Sequence, residues 1–385
     1  MLFIFKYTTF FLENFRFLTL FFNIDIQVPI VNIVLPLAIS FFTFQQIAFL
    51  VDTYKHKIEN NTFLDYCLFV SFFPQLIAGP IVHHSEMMPQ FKKNIKGIDL
   101  NLASKGLFIF SIGLFKKVYI ADSFAKWADS GFDIVDSGGF LNFFESWVTS
   151  LSYTFQLYFD FSGYCDMAIG LGLLFGIMLP INFNSPYKAL NITDFWRRWH
   201  ITLGRFLKEY LYIPLGGNRH GLIRTLINLF IVAFLSGIWH GAGYGFVIWG
   251  VLHGIAMVSH RIYSTIKKDC AFFNTLFYKA SCWFVTFNFI NISWIFFRSE
   301  NVSGAINLLK GMFGVVSFGE FNIDYLRLLC LICGILFVLC LKNSIEMLNN
   351  FKNSKRNAIF AGILFYASVI YMGAVPYVKF IYFNF

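Results

Sequence analysis

Apolar runs of about twenty residues, separated by short polar or basic stretches, recur along most of this chain. A helix of about 20 apolar residues crosses roughly 30 Å of hydrocarbon. The pattern predicts spans at about 28–51, 62–82, 104–122, 144–161, 164–182, 222–239, 243–262, 272–298, 325–342 and 357–380. About nine to eleven crossings follow. The chain shows no internal repeat, low-complexity tract or long polar linker. Residues 1–385 therefore read as one integral membrane domain of the all-α class, a polytopic helix bundle with interfacial or re-entrant helices. The first 25 residues are apolar but carry Lys6, Glu13 and Arg16, with no small-residue cleavage site after them. A removable signal peptide is not expected, and the segment is placed at the membrane interface.

Composition agrees with lipid as the solvent: 57% of residues are hydrophobic and 13% charged, about half the charged share of a soluble domain. A net charge of +9 could point to nucleic acid, but the basic residues fall in short loops between spans, as in an oriented membrane protein. Six Lys or Arg residues lie between Arg197 and Arg224, four between Arg261 and Lys279, and four between Lys342 and Arg356. These three regions share one side, which the rule assigns to the cytoplasm, so His240 approaches from the opposite face. Lys55 and Lys57 are separated from Lys92, Lys93 and Lys96 by one expected span, so either the rule is violated there or a segment is re-entrant. The seven cysteines, Cys67, Cys165, Cys270, Cys282, Cys330, Cys333 and Cys340, lie mostly inside apolar runs, which argues against a disulfide framework. Cys330 and Cys333 have redox spacing, yet within "LLCLICGILFVLC" they read as small packing residues.

Polar groups inside apolar segments carry more information, because an unpaired ionisable residue there costs several kcal/mol. "YTFQLYFDFSGYCDMAIGLG" places Gln156, Asp160, Ser162 and Asp166 among aromatics, with Gly163 available for a break between two helices. The two carboxylates fit either an acid and base pair, or partners for amides at that break and for nearby arginines. In "NITDFWRRWHITLGRFLKEYLYIPLGGNRHG", Thr193 or Asp194 is expected to cap a helix. Along that helix Trp196, Trp199, Leu203, Leu207 and Tyr210 form one stripe. Arg197, Arg198, Arg205 and Lys208 fall largely off the stripe, as in a helix lying in the membrane plane. These cations either anchor the helix at headgroups or also attract an anionic, phosphate-bearing substrate.

Two histidines compete for a chemical role, His200 after Trp199 and His240 after Trp239. An intramembrane histidine serves either as a hydrogen-bonded packing element or as a catalyst. For His240, the run Gly241, Gly243 and Gly245 removes side-chain bulk, so a substrate is expected to approach, and an imidazole suits proton transfer near neutral pH. No G-x-S-x-G elbow appears. The adjacent pair His83–His84 does not by itself aim two imidazoles at one ion, and no metal site is expected.

Together, "DFWRRWHITLGRFLKEYLYIPLGGNR", "LSGIWHGAGYGFVIWGVLHG" and the upstream "FPQLIAGPIV" resemble the membrane-bound O-acyltransferase family. The pattern is most like the bacterial branch that includes the alginate O-acetyltransferase membrane subunit. It is also similar to proteins that acetylate peptidoglycan or help to D-alanylate teichoic acid. The likeness runs from about Leu35 to the C-terminus. It implies a bundle around a central tunnel, through which an acyl group passes from a cytoplasmic thioester toward hydroxyls of an extracytoplasmic polysaccharide.

On this resemblance His240 matches the catalytic histidine, and His200 the second family histidine at the donor side. Asp160, Asp194, Arg197 and Arg198 fall within family motifs, and with Gln156 and Trp239 they are the expected substrate contacts. Acetyl-CoA or another acyl thioester is implied as donor substrate rather than as a tightly bound cofactor. The implied partners are membrane lipid, a polysaccharide acceptor and an extracytoplasmic transferase, in a bacterial plasma membrane, with no nucleic acid. The resemblance also implies two or three further spans ahead of "LPLAISFFTFQQIAFLVDTYKHK", so N-terminal spans of the family are expected to be missing. Without these motifs, buried Asp, Gln and His would suit a secondary transporter or channel. A scaffold docking a separate extracellular transferase is the other reading.

Overall fold

The computed structural model describes residues 2–24, 36–58, 62–77, 79–93, 99–267, 275–319 and 324–376, together with 26, 29, 33, 97, 378, 380 and 381. Among these residues the regular structure is entirely helical. The chain begins with α1 (Leu2–Phe21) and α2 (Ile39–Tyr54), followed by α3 (Phe63–Ser71). Thr62 and Asp65 start α3 with a reciprocal capping box. At nine residues this helix is about 14 Å long, too short to cross a membrane.

After a short turn over Phe73–Gln75, the chain leads into α4 (His84–Lys92). There Lys92 Nζ lies 3.4 Å from Asp65 at the start of α3. The chain thus leaves along α3 and returns along α4 to the start of α3 instead of crossing as one span over 62–82. Lys55, Lys57, Lys92 and Lys93 consequently need not lie on opposite sides, which removes the charge conflict, while Lys96 falls outside the described residues.

Helix α5 (Leu100–Phe115) passes through a π-helical stretch, Lys116–Ala121, into α6 (Asp122–Asp136). Next comes α7 (Phe143–Leu174), 32 residues long and capped by Asn142 and Glu145. The two spans expected at 144–161 and 164–182 are thus largely one helix, and Gly163 does not break it. Gly163 instead permits close contact: a Cβ there would stand 2.7 Å from the Gly113 carbonyl oxygen, and one on Gly113 would stand 2.5 Å from that of Gly163. Gly106 and Gly170 repeat the arrangement one layer away. Small residues bring two helix backbones together where lipid supplies no hydrophobic drive between helices.

Two short helices, α8 (Ile192–Arg198) and α9 (Ile201–Leu207), precede the hairpin of α10 (Gly221–His240) and α11 (Tyr244–Ile266). The remainder comprises α12 (Leu276–Arg298), α13 (Val302–Met312), α14 (Tyr325–Cys340), α15 (Ser344–Asn349) and α16 (Lys355–Ala374). Four of these, α10, α11, α12 and α16, are long and apolar enough to cross a bilayer, and α14 is a shorter apolar helix. Large apolar side chains such as Ile223, Val285, Ile363 and Tyr366 point outward, the surface expected of a protein solvated by lipid. The described cysteines, all of those in the sequence except Cys270, are free.

The core gathers around α7, whose Tyr153, Phe155, Leu157, Phe159 and Phe161 are buried. Trp199, Trp249 and Trp294 pack against the same aromatic mass and are almost fully enclosed.

Candidate active site

His240 is the last residue of α10, and Gly241 continues in an extended conformation. The residue is 3% exposed, and its ring sits in an aromatic box, with centroids 4.8 Å from Trp239, 5.0 Å from Phe297 and 5.3 Å from Trp249. The indole N–H groups of Trp239 and Trp249 are buried and have no hydrogen-bond partner among the described residues. Unsatisfied buried donors are costly, and two of them flank one imidazole.

The glycines after His240 do not leave open space at every position. A Cβ on Gly241 would stand 2.0 Å from the Phe246 ring, and one on Gly245 would stand 2.2 Å from the Phe296 carbonyl oxygen. Those two glycines admit packing partners. At Gly243 the nearest neighbour is Phe246 at 3.7 Å, so bulk there is absent for other reasons.

His200 is 1% exposed and holds a left-handed backbone conformation, φ 45°. One continuous helix through Trp196–Tyr210 was expected, but the chain breaks at this residue. Asn182 supports the break: its backbone carbonyl accepts from Ile201 N at 3.0 Å, and its side-chain oxygen accepts from Thr202 N at 3.1 Å and Thr202 Oγ1 at 2.7 Å. His200 Nδ1 lies 3.3 Å from the same oxygen. A non-glycine residue kept at positive φ by its surroundings is a common feature of functional sites. Burial pushes the His200 imidazole down to about 3, so it stays neutral at physiological pH.

The two histidines are joined through aromatic rings. His200 stacks 6.2 Å from Phe41, Phe41 meets Trp239 edge-on at 5.8 Å, and Trp239 adjoins His240. A cavity of about 250 Å³ borders Phe41, lined also by Gln45, Gln75, Ile77, Gly79 and Ile81. The "FPQLIAGPIV" stretch builds this wall and is tied to α9 by Ile81 N donating to Thr202 Oγ1 at 3.0 Å.

Of the remaining expected contacts, Asp160, Asp194 and Arg198 are held by ion-pair partners. Asn191, not Thr193 or Asp194, caps α8 by accepting from Asp194 N. Asp194 pairs along the helix with Arg198 at 3.0 Å, and Arg197 is exposed. Trp196 anchors this helix inward, donating to His253 Nδ1 at 3.2 Å, while His253 Nε2 meets Ser293 Oγ at 3.1 Å. His253 stands in the "GVLHG" that follows the His240 motif, where nothing in the local sequence marks its two partners.

Asp160 and Asp166 pair with lysines rather than arginines, and at no helix break. Lys117 bridges Asp160 at 2.9 Å and Asp122 at 2.6 Å, and Lys116 meets Asp166 at 2.8 Å. Asp160 also accepts from Ile381 N at 2.9 Å, and Asp166 from Ser344 Oγ at 2.9 Å. Paired so closely, these carboxylates read as braces between α7, the π-helical stretch and the C-terminal region. The signal for this network was two adjacent lysines, Lys116 and Lys117, inside an apolar run. Gln156 is buried on α7, and its side-chain oxygen has no partner among the described residues.

His83 and His84 diverge: His83 faces Tyr210 at 3.1 Å, while His84 packs edge-on against Phe49 and Phe69. Among the described residues no three His, Cys, Asp or Glu side chains gather as a metal site would require.

Residues 53–299 match the family model of the membrane-bound O-acyltransferases. The chain is 57% identical over 337 residues to the peptidoglycan O-acetyltransferase of Helicobacter pylori, covering 81% of this chain and 62% of that protein. It is 40% identical over 298 residues to the probable alginate O-acetylase AlgI of Pseudomonas aeruginosa, covering 77% of this chain and 54% of that one. A more distant relative is the teichoic acid D-alanyltransferase of Streptococcus thermophilus, 25% identical over 289 residues. The chain thus spans between about half and two thirds of the length of the first two relatives. The matched region takes in His200, His240 and the aromatic box around His240, and this chain belongs to the membrane-bound O-acyltransferase family.

Proposed function

We propose that this protein transfers an acyl group, most simply acetyl, from a cytoplasmic thioester across the bacterial inner membrane to hydroxyls of an extracytoplasmic polysaccharide. The observation that carries this reading is His240 enclosed at the end of an apolar helix, flanked by two indole N–H groups with no partner among the described residues. Among polysaccharides, peptidoglycan is favoured over an alginate-like polymer by the name and the 57% identity of the Helicobacter relative. A thioester carrier is too polar to dissolve in lipid, and its acceptor lies on the other side, so only the acyl group need cross.

In the proposed step, the acceptor oxygen attacks the thioester carbonyl while His240 takes the hydroxyl proton as general base. The carbonyl oxygen becomes negative and accepts hydrogen bonds from the Trp239 or Trp249 indole, donors of the oxyanion-hole kind. The intermediate collapses: the carbon–sulfur bond breaks, an ester remains on the polymer, and the thiolate takes the proton from the imidazolium. His200, neutral and behind Phe41, serves the donor side, and the cavity beside Phe41 would admit the acyl group. The exposed Arg197 and the half-buried Arg198 would meet the anionic part of the carrier. An extracytoplasmic transferase completes delivery, and in the main variant of the step the acyl group rests covalently on His240 or a serine before its final transfer.

The test is transfer of a radiolabelled acetyl group from acetyl-CoA to peptidoglycan fragments by the purified protein in lipid. Label in base-labile ester on the glycan supports the proposal. Thioester left intact, with solute flux through proteoliposomes instead, would overturn it.

A further inference from the structure

The first helix is tied to the turn that carries His240, and nothing in the acyl-transfer reading uses it. A helix ends with carbonyl groups that lack intrahelical donors. At the end of α10 Gly241 is extended, and no local capping hydrogen bond is made among the described residues. The missing donors come from residues more than two hundred positions away. Lys6 Nζ donates to the Trp239 carbonyl, and Tyr7 Oη donates to the Ile238 carbonyl at 2.8 Å. Lys6 also lies 3.3 Å from Ser40 Oγ on α2 and 5.6 Å from the centre of the Trp239 ring. One amino group thus joins α1, α2 and the peptide immediately before His240.

Further along α1, Phe10 packs edge-on against Tyr244 at 5.3 Å, and Asn14 bonds the Tyr244 hydroxyl. These contacts grip the first residue of α11, so α1 clamps both sides of the Gly241–Gly243 turn. A cation at a helix C-terminus also complements the partial negative charge of the exposed carbonyls, and the face of an indole attracts it.

We propose that Lys6 is a positioning residue for acyl transfer: with Tyr7 it fixes the last turn of α10, and so sets the His240 imidazole and the Trp239 indole in the geometry the reaction needs. The inference rests on the reading of His240 as general base. Lys6 need not touch substrate; it acts through the Trp239 carbonyl and ring. Displacement of a reacting group by about 1 Å can cost on the order of 10²-fold in rate, and that sets the expected scale.

The experiment measures kcat and KM for acetyl-CoA with purified Lys6→Met, Lys6→Arg and Tyr7→Phe proteins, alongside His240→Ala. The expected result is a fall of kcat by about 10²-fold in Lys6→Met with KM within about threefold of the parent. Lys6→Arg, which keeps both donor and charge, restores most of the rate, and Tyr7→Phe loses less than Lys6→Met. Unchanged kcat in Lys6→Met, or a rise in KM alone, overturns the inference while His240→Ala remains inactive. Should Lys6→Met fail to fold, Tyr7→Phe decides: reduced kcat at constant KM supports the clamp, and unaltered kinetics overturns it. Activity in His240→Ala would instead remove the reading on which the inference stands.

Discussion

Lys116 and Asp166 form a buried ion pair, Nζ to Oδ2 2.8 Å, that joins the π-helical stretch after α5 to the middle of α7. Both side chains are about 95% enclosed, and the Ser344 hydroxyl supplies a further hydrogen bond to the carboxylate. Removing one partner leaves the other charge unpaired in a low-dielectric interior, which costs about 3–5 kcal/mol. Lys116→Met is therefore expected to lower thermal stability sharply. The double variant Lys116→Met/Asp166→Leu should recover much of that loss. Thermal unfolding of the three proteins in detergent checks this, and equal stability of Lys116→Met and the parent would contradict it.

Gly163 and Gly113 make an equally specific demand on size. A methyl group on Gly163 would meet backbone, the Gly113 carbonyl oxygen at 2.7 Å, which cannot rotate away as a side chain can. Gly163→Ala is expected to destabilise the α5–α7 crossing by about 1–3 kcal/mol. Comparing its unfolding with that of Gly362→Ala, where a Cβ meets nothing within 4 Å, isolates the effect.

His200 gives stability a dependence on pH. Its folded-state value is pushed down to about 3 by burial, below the ordinary value near 6.5. Between those values the unfolded chain binds a proton that the folded chain does not, so stability falls as pH drops through this window. His200→Gln removes that contribution. The slope of melting temperature against pH between about 6.5 and 4 should be shallower in the variant than in the parent.

Trp239 separates a hydrogen-bonding role from a packing role. Trp239→Phe keeps an aromatic ring between Phe44 and His240, which lie 4.6 and 4.8 Å from it, but removes the indole N–H. If that N–H steadies the oxyanion, kcat should fall by about 10²–10³-fold, the cost of losing one such donor, with KM little changed. Equal kcat in the two proteins would transfer the role to Trp249 or to a backbone amide.

Much of the architecture could be read from periodicity, since α10, α11, α12 and α16 follow apolar runs that begin and end near the expected positions. What failed were the segments where tertiary contacts override local pattern. Gly163 looked like a helix breaker because a glycine weakens an isolated helix, yet here it is the price of a close crossing with Gly113. Residues 62–82 had the length and polarity of a span, but α3 ends after nine residues and α4 returns, with Lys92 at its end beside Asp65 at the start of α3. The break at His200 was invisible because its support comes from Asn182, eighteen positions upstream.

The site was legible in its histidines and tryptophans, which stand in the motifs themselves. It was not legible in the partners that hold them. Lys6, Asn182 and His253 act through contacts between distant segments, and periodicity carries no record of those. From the sequence Lys6 argues only against a removable signal peptide; in the structure its amino group reaches the end of α10.

The most direct test of the account is single-turnover transfer from labelled acetyl-CoA to a glycan hydroxyl by purified parent and His240→Ala proteins, each shown by its melting curve to be folded. The account predicts ester formation by the parent and at least about a 10²-fold slower reaction in the variant, the minimum contribution of a general base. Equal rates in two folded proteins would contradict it.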